Sequence, residues 1–136
     1  MALKASELKV GDSHTERVVD NLTRTQIVQY AGASGDYNPI HTDEVYTTKV
    51  AFYPSVFAHG MLTMGLTGKM LTNYVGDGRL TKFGVRFTNQ VWPGDSLDAK
   101  ATVTAIKDSL VELEVVTTNQ DGKEVVRGYA EARIDA

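Results

Sequence analysis

The chain is 136 residues long, carries a formal net charge of −3 at pH 7 and contains no cysteine. Its composition, with 42% apolar and 23% charged residues, is typical of a globular protein, and we expect residues 1–136 to form a single domain. Basic residues are scattered and apolar runs are short, so we expect neither a nucleic-acid partner nor a membrane span. Without cysteine there is no disulfide, thiolate metal site or cysteine nucleophile. The start of the chain shows no apolar leader, which favours a cytoplasmic protein.

The first part of the chain predicts short elements separated by turns. Residues 1–20 are expected to be irregular, with at most one short strand. A short helix capped by Thr23 or Thr25 should extend to about residue 33, where glycines follow. A second short helix is predicted over residues 43–49, followed by a loop.

A long helix is predicted over residues 59–74. Leucine, methionine and tyrosine occur on nearly all of its sides and its charge is confined to Lys69, a pattern typical of a buried helix. Gly65 and Gly68 each cost about 1 kcal/mol of helix propensity. Their presence indicates that other backbone passes close to this helix.

From residue 79 onward the apolar pattern has a period of two, which is typical of strands with one buried face. A hairpin turn at residues 120–122 separates two of the strands. The expected fold class is α+β, with the long buried helix wrapped by an antiparallel sheet of about five strands. An open edge of such a sheet is often covered by a second copy of the chain. The residues expected to face inward are Phe83, Val85, Phe87, Ala99, Ala101, Val103, Ala105, Val111, Leu113, Val115, Ala130, Ala132 and Ile134.

The residues best suited to chemistry are Asp36 and His41, five positions apart. The proline after Asn38 forces that residue out of the helical region, so the segment is neither a continuous helix nor a strand. A carboxylate and an imidazole on a stiff loop suit proton transfer, and catalytic residues tend to lie on such loops. Taken singly, Asp36 is more typical of a turn and His41 of packing, but the pair favours catalysis.

A second histidine stands beside Gly60 at the predicted start of the long helix. The free N–H groups of the first helical turn point at an incoming oxygen, and the helix dipole favours negative charge there. Gly60 is therefore a candidate donor to a polarised oxygen. His59 is either part of this site or a neighbour of the helix cap. Thr67, two turns along, either aims its hydroxyl at the same region or bonds back to its own helix.

Other chemistries fit the sequence less well. Residues 32–36 miss the last glycine of a nucleophile elbow and follow a helix rather than a strand, so a serine hydrolase is not expected. Asp36, His41 and His59 are the residue types of a two-histidine, one-carboxylate metal site, but their spacing is not diagnostic and no metal is expected. No Walker A loop or dinucleotide fingerprint occurs, and no cofactor is expected.

Two segments carry a resemblance to a known family. Residues 30–43 read Tyr-Ala-Gly-Ala-Ser-Gly-Asp-Tyr-Asn-Pro-Ile-His-Thr-Asp, and residues 58–62 read Ala-His-Gly-Met-Leu. In this order and spacing they resemble the MaoC-like (R)-specific enoyl-thioester hydratases and dehydratases, which have the hotdog fold. Residues 63–65, 75–77 and 85–88 are similar to the catalytic subunits of actinobacterial (3R)-hydroxyacyl-acyl-carrier-protein dehydratases. The resemblance covers nearly the whole chain.

The resemblance implies reversible hydration of trans-2-enoyl thioesters, or dehydration of (3R)-hydroxyacyl thioesters, in fatty-acid metabolism. It implies that Asp36 and His41 activate the water and that the Gly60 N–H polarises the thioester carbonyl. Thr67 stands where many members carry a serine, and His59 matches the motif without an assigned role. The implied partners are an acyl-CoA or acyl-carrier-protein substrate and a second hotdog chain, in a homodimer or heterodimer. A hotdog thioesterase and a subunit of a heterodimeric dehydratase are the alternatives.

Overall fold

The computed structural model describes residues 3–135, which form five strands, four α-helices and one 3-10 turn at Ala5–Glu7. The strands are β1 (Ser13–Val19), β2 (Leu80–Phe87), β3 (Leu97–Lys107), β4 (Leu110–Thr118) and β5 (Glu124–Arg133). The helices are α1 (Arg24–Ser34), α2 (Pro39–Thr42), α3 (Glu44–Lys49) and α4 (Gly60–Val75). Within this described range, no helix has both the length and the apolar character needed to cross a bilayer.

The five strands form one antiparallel sheet in the order β1-β3-β4-β5-β2. The expected irregular lead-in therefore contains a full strand, since the seven residues of β1 pair with β3. The sequence allowed one short strand here but did not predict its full length, because β1 lies at the sheet edge and only Val19, at its end, is buried. Residues 1 and 2, which belong to the same prediction, lie outside the described range.

The short helices begin where side-chain caps satisfy their first N–H groups. Thr23 accepts the Gln26 N–H, and the Gln26 side chain accepts the Thr23 N–H in return, which completes a capping box for α1. Asp43 accepts the Tyr46 N–H and caps α3. Both short helices are confirmed, with Thr23 and Asp43 as their caps.

Helix α4 packs one side against the sheet. Met70, Leu71 and Val75 are fully buried there against small and β-branched side chains of the three central strands. The predicted alternation of β3, β4 and β5 is confirmed, except that Ala105, beside a register shift in β3, is only half-buried. The strand residues of this core are Ala99, Ala101, Val103, Val111, Leu113, Val115, Ala130 and Ala132, and Ile134 follows β5.

The other flank of α4 is open in the single chain. Met61 is 56% exposed, and Gly65 and Lys69 are exposed as well. The predicted close backbone approach is wrong. Nothing lies within 4 Å of a Cβ built on Gly65, and a Cβ on Gly68 would meet only the Phe83 ring, at 3.3 Å. One five-stranded sheet covers one side of a helix, so α4 is buried on that side and not all round.

Strand β2 departs from its predicted alternation. Phe83 packs against the core, but Phe87 is 51% exposed and its ring lies over Gly60. Because β2 is an edge strand, its final residue extends beyond the core to the start of α4. The burial of side chains along β2 therefore does not follow a period of two.

Candidate active site

The structure brings Asp36, His41 and His59 together at the start of α4. One carboxylate oxygen and one nitrogen from each histidine ring all lie within 4.8 Å of one another. Asp36 is exposed, whereas both histidines are buried. Three of the residues singled out in the sequence thus share one site.

Local hydrogen bonds give the Asp36 loop its shape. The Asp36 carboxylate accepts the Asn38 N–H at 3.2 Å, and the Asn38 side-chain oxygen accepts the Ile40 N–H at 3.2 Å. Asn38 has a non-helical ψ of 127°, as the following proline predicts, and Pro39 is the first residue of α2. The sequence did not reveal this four-residue helix, which carries His41.

His41 is oriented by a backbone carbonyl. Its Nδ1–H donates to the Phe57 oxygen at 2.6 Å, and because a carbonyl only accepts, Nε2 of the neutral ring is left as an acceptor. Burial lowers the pKa of His41 below its ordinary value of 6.5, and His59 lowers it further. The Phe57 carbonyl and the Asp36 charge oppose that shift. At neutral pH His41 is therefore an uncharged ring whose Nε2 can take a proton.

His59 is buried within the site, between the Asp36 loop and α4. It is the N-cap residue of α4 and is 2% exposed. Its Nε2–H donates to the backbone carbonyl of Asp36 at 2.9 Å. Its ring stacks on His41 with the centroids 3.9 Å apart, and Tyr30 of α1 packs edge-on at 4.9 Å.

Gly60 opens the first turn of α4 beside a cavity of about 290 Å³, which Phe57, Phe87 and Asn89 also line. The Phe87 ring lies 3.1 Å from the place that a Cβ on Gly60 would occupy, so a side chain there would compete with Phe87. His41 lines a different cavity of about 480 Å³. In the single chain, the candidate oxyanion donor and the imidazole thus face separate cavities.

Thr67 lies in the core, and its hydroxyl already has partners. It donates to the Thr63 carbonyl at 2.9 Å and lies 2.6 Å from the Thr117 hydroxyl of β4. Both threonines are fully buried. These contacts support a structural role, the second of the two roles considered for this residue, and a contact between Thr67 and substrate stays a prediction.

We expect Thr67→Val to lower the free energy of unfolding by about 1–3 kcal/mol, because it leaves the buried Thr117 hydroxyl without its partner. Thr67→Val combined with Thr117→Val should recover much of that loss, since both hydroxyls are then removed together. Urea denaturation followed by circular dichroism compares the double variant with Thr67→Val and Thr117→Val alone. A double variant as unstable as the sum of the two single variants would contradict this coupling.

Residues 6–125 match the sequence model of the MaoC like domain. The chain belongs to the MaoC-like domain family. The (R)-specific enoyl-CoA hydratase of Rhodospirillum rubrum is 30% identical over 133 residues, which cover 96% of this chain and 90% of that protein. The 3-hydroxyacyl-thioester dehydratase Y of Mycobacterium tuberculosis is 35% identical over 89 residues, or 63% of this chain. The chain spans only 31%, 7% and 6% of the lengths of three curated relatives it matches.

Solved structures of R-hydratases have the same fold. R-hydratase PhaJ1 from Pseudomonas aeruginosa, unliganded, gives a TM-score of 0.87 at 29% identity over 98% of this chain and 86% of that one. The (R)-hydratase from A. caviae involved in PHA biosynthesis gives 0.84 at 26% identity, covering 94% and 98% of the two chains. The hotdog fold predicted for this MaoC-like chain is confirmed.

The three clustered side chains of this MaoC-like domain are arranged better for proton transfer than for holding a metal. The rings of His41 and His59 are stacked with their planes only 23° apart. Lone pairs lie in the ring planes, so those of two nearly parallel rings converge poorly on one ion about 2 Å from each nitrogen. One nitrogen of each ring also donates to a backbone carbonyl. The expectation of no metal stays a prediction.

Two contacts of this MaoC-like domain, one in the site and one in the core, were not predicted from the sequence. The Phe57 carbonyl that orients His41 belongs to the backbone and carries no side-chain signal. Thr117 occupies a buried position of β4 where the alternation predicts an apolar residue. This polar residue in an apolar series is the sequence feature that could have identified the contact.

Proposed function

We propose that this chain catalyses the reversible (R)-specific hydration of trans-2-enoyl thioesters, and the reverse dehydration of (3R)-hydroxyacyl thioesters, in fatty-acid metabolism. The observation that carries this proposal is the cluster of Asp36 and the uncharged His41 beside the start of α4. The similarity of nearly the whole chain to an (R)-specific enoyl-CoA hydratase supports the same reaction.

The proposed chemistry follows from the three groups. A water held between the Asp36 carboxylate and Nε2 of His41 adds its oxygen to the β-carbon and gives a proton to this pair. The negative charge that builds on the thioester oxygen is stabilised by the Gly60 N–H at the positive end of α4. The α-carbon then takes up a proton from the same pair, and the pair returns to its starting charge. Dehydration is the reverse sequence.

The direct test is hydration of crotonyl-CoA and longer enoyl-CoA substrates, followed by loss of the ultraviolet absorbance of the conjugated thioester. The same chain lengths on acyl carrier protein compare the two carriers. We expect absorbance loss without release of free thiol. Thiol release from acyl-CoA with no enoyl hydration would instead identify a hotdog thioesterase.

The pH dependence of hydration should report the lowered pKa of His41. A histidine whose pKa lies below 6.5 stays uncharged down to that pH, and protonation at lower pH removes the Nε2 acceptor. We therefore expect kcat/KM to be level across neutral pH and to fall only below 6.5. Initial rates across a pH series measure this profile. A kcat/KM that already falls as the pH is lowered toward 6.5 would contradict an uncharged His41 at neutral pH.

We infer that the working unit is a dimer with a second hotdog chain, as a homodimer or a heterodimer. Strand β2 lies at an edge of the sheet, and Met61 and Phe87 are more than half exposed near the start of α4. Unpaired strand edges and exposed apolar side chains are commonly covered by a partner. Light scattering on the purified chain should give twice the monomer mass. A monomer that pairs only with another hotdog chain would identify a subunit of a heterodimeric dehydratase.

A further inference from the structure

His59 contacts all three parts of the proposed site. Its Nε2–H bonds to the backbone carbonyl of Asp36 at 2.9 Å, and one face of its ring stacks on His41 at 3.9 Å. It also directly precedes Gly60, whose N–H opens α4. A single side chain therefore connects the carboxylate loop, the imidazole and the helix start.

The hydrogen bonds of His59 define its tautomer. A carbonyl oxygen only accepts, so the nitrogen that faces Asp36 must carry the hydrogen. The other nitrogen, Nδ1, is buried and has no hydrogen-bond partner among the described residues. A hydrogen on Nδ1 would be a buried donor without an acceptor, which is costly. The neutral tautomer therefore has its hydrogen on Nε2, and it donates in one fixed direction.

This arrangement suits a side chain that positions other groups, and it does not suit one that transfers a proton. The ring gives its one hydrogen to a backbone carbonyl, and its remaining nitrogen is shielded from solvent. The Asp36 side chain, by contrast, is exposed. Its loop is held otherwise by short-range bonds, in which the Asp36 N–H donates to Ser34 Oγ and the Asp36 carboxylate accepts the Asn38 N–H. The His59 bond spans 23 positions of the chain and ties this exposed loop to the start of α4.

We propose that His59 is a positioning residue for hydration, which fixes the Asp36 loop through its Nε2–H and supports the His41 ring from one face. The inference rests on the proposed function and adds a task for a residue without an assigned role. Misplacing a reacting group by about 1 Å can cost about 100-fold in rate. Because His59 acts through the two groups that work in the transition state, its loss should lower kcat more than it raises KM.

The test compares His59→Gln with His59→Asn. The terminal nitrogen of glutamine takes the place of Nε2 and can still donate to the Asp36 carbonyl, whereas that of asparagine takes the place of Nδ1 and is too short to reach it. Both side chains are neutral, polar amides, and the two variants differ only by one methylene group. We expect His59→Asn to lower kcat by about 10–100-fold with KM nearly unchanged, and His59→Gln to recover at least half of that loss on a logarithmic scale.

Two controls separate this proposal from its alternatives. His14→Gln removes a histidine that stacks on Tyr74 near the other end of α4, and it should leave kcat and KM unchanged. Long-range proton–nitrogen NMR of the wild-type protein should show His59 with its hydrogen on Nε2. If the wild-type chain hydrates enoyl thioesters but His59→Asn and His59→Gln lose equal activity, or neither loses any, the positioning role is wrong. If the wild-type chain is inactive on every acyl length, the proposed function itself fails, whereas the NMR result still reports the hydrogen bond.

Discussion

We expect Asp36→Asn to lower kcat/KM for the proposed enoyl-thioester hydration by about 10²–10⁴-fold, the range that general acid–base catalysis supplies. Asparagine has nearly the same shape and keeps an oxygen that can accept the Asn38 N–H, so the loop should keep its conformation. Only the negative charge and the ability to take a proton are lost. The variant is assayed by ultraviolet absorbance, with circular dichroism to confirm that it is folded.

His41→Gln should cause a loss of similar size, because in the proposed mechanism Asp36 and His41 act on the same water. The double variant should then be little worse than either single variant, since residues that act as a unit have non-additive effects. His14→Gln serves as the histidine control, because its ring lies against Tyr74 and outside the cluster. Full activity in both Asp36→Asn and His41→Gln would overturn the assignment of this pair.

Gly128→Ala destabilises the fold by about 3 kcal/mol or more, which places it among the most damaging single substitutions expected for a domain of this size. Gly128 lies in the middle of β5, opposite Val85 of β2 and Val115 of β4. A Cβ on Gly128 would overlap the backbone oxygen of Gly84 and stand 2.7 Å from the Cα of Val85. Backbone atoms of a paired strand cannot move aside without breaking the pairing of β2 with β5.

Gly84→Ala is the matched control on the facing strand. A Cβ there would also meet atoms at 2.8 Å, but these belong to the end of the Tyr129 side chain, which is 53% exposed and free to swing into solvent. We expect a loss below about 1 kcal/mol, no more than that of an average single substitution. Chemical denaturation of both variants compares the two effects. Equal unfolding free energies would show that strand β2 can shift to accept a Cβ on Gly128.

Elements with strong local signals were predicted from the sequence nearly to the residue. Helix α4 was expected over residues 59–74 and occupies Gly60–Val75, and the alternation of β3, β4 and β5 correctly identified their buried faces. These signals are local, because the period of apolar residues and the residues at helix caps depend on a few neighbours. Helix α2 was not predicted, and β1 was expected at most as one short strand, because a four-residue helix and this edge strand have too little apolar pattern.

The sequence by itself determined the family, the order of the main elements and the residue types of the candidate site. Asp36, His41, His59 and Gly60 could be named because proline, glycine and helix-start signals surround them. Only the tertiary structure decided how these residues meet, since the Phe57 carbonyl that orients His41 and the Asp36 carbonyl that holds His59 are backbone atoms 16 and 23 positions away. Contacts at such separations depend on how helices and strands pack together. The same packing buries Thr67 beside Thr117 and brings the exposed Phe87 over Gly60.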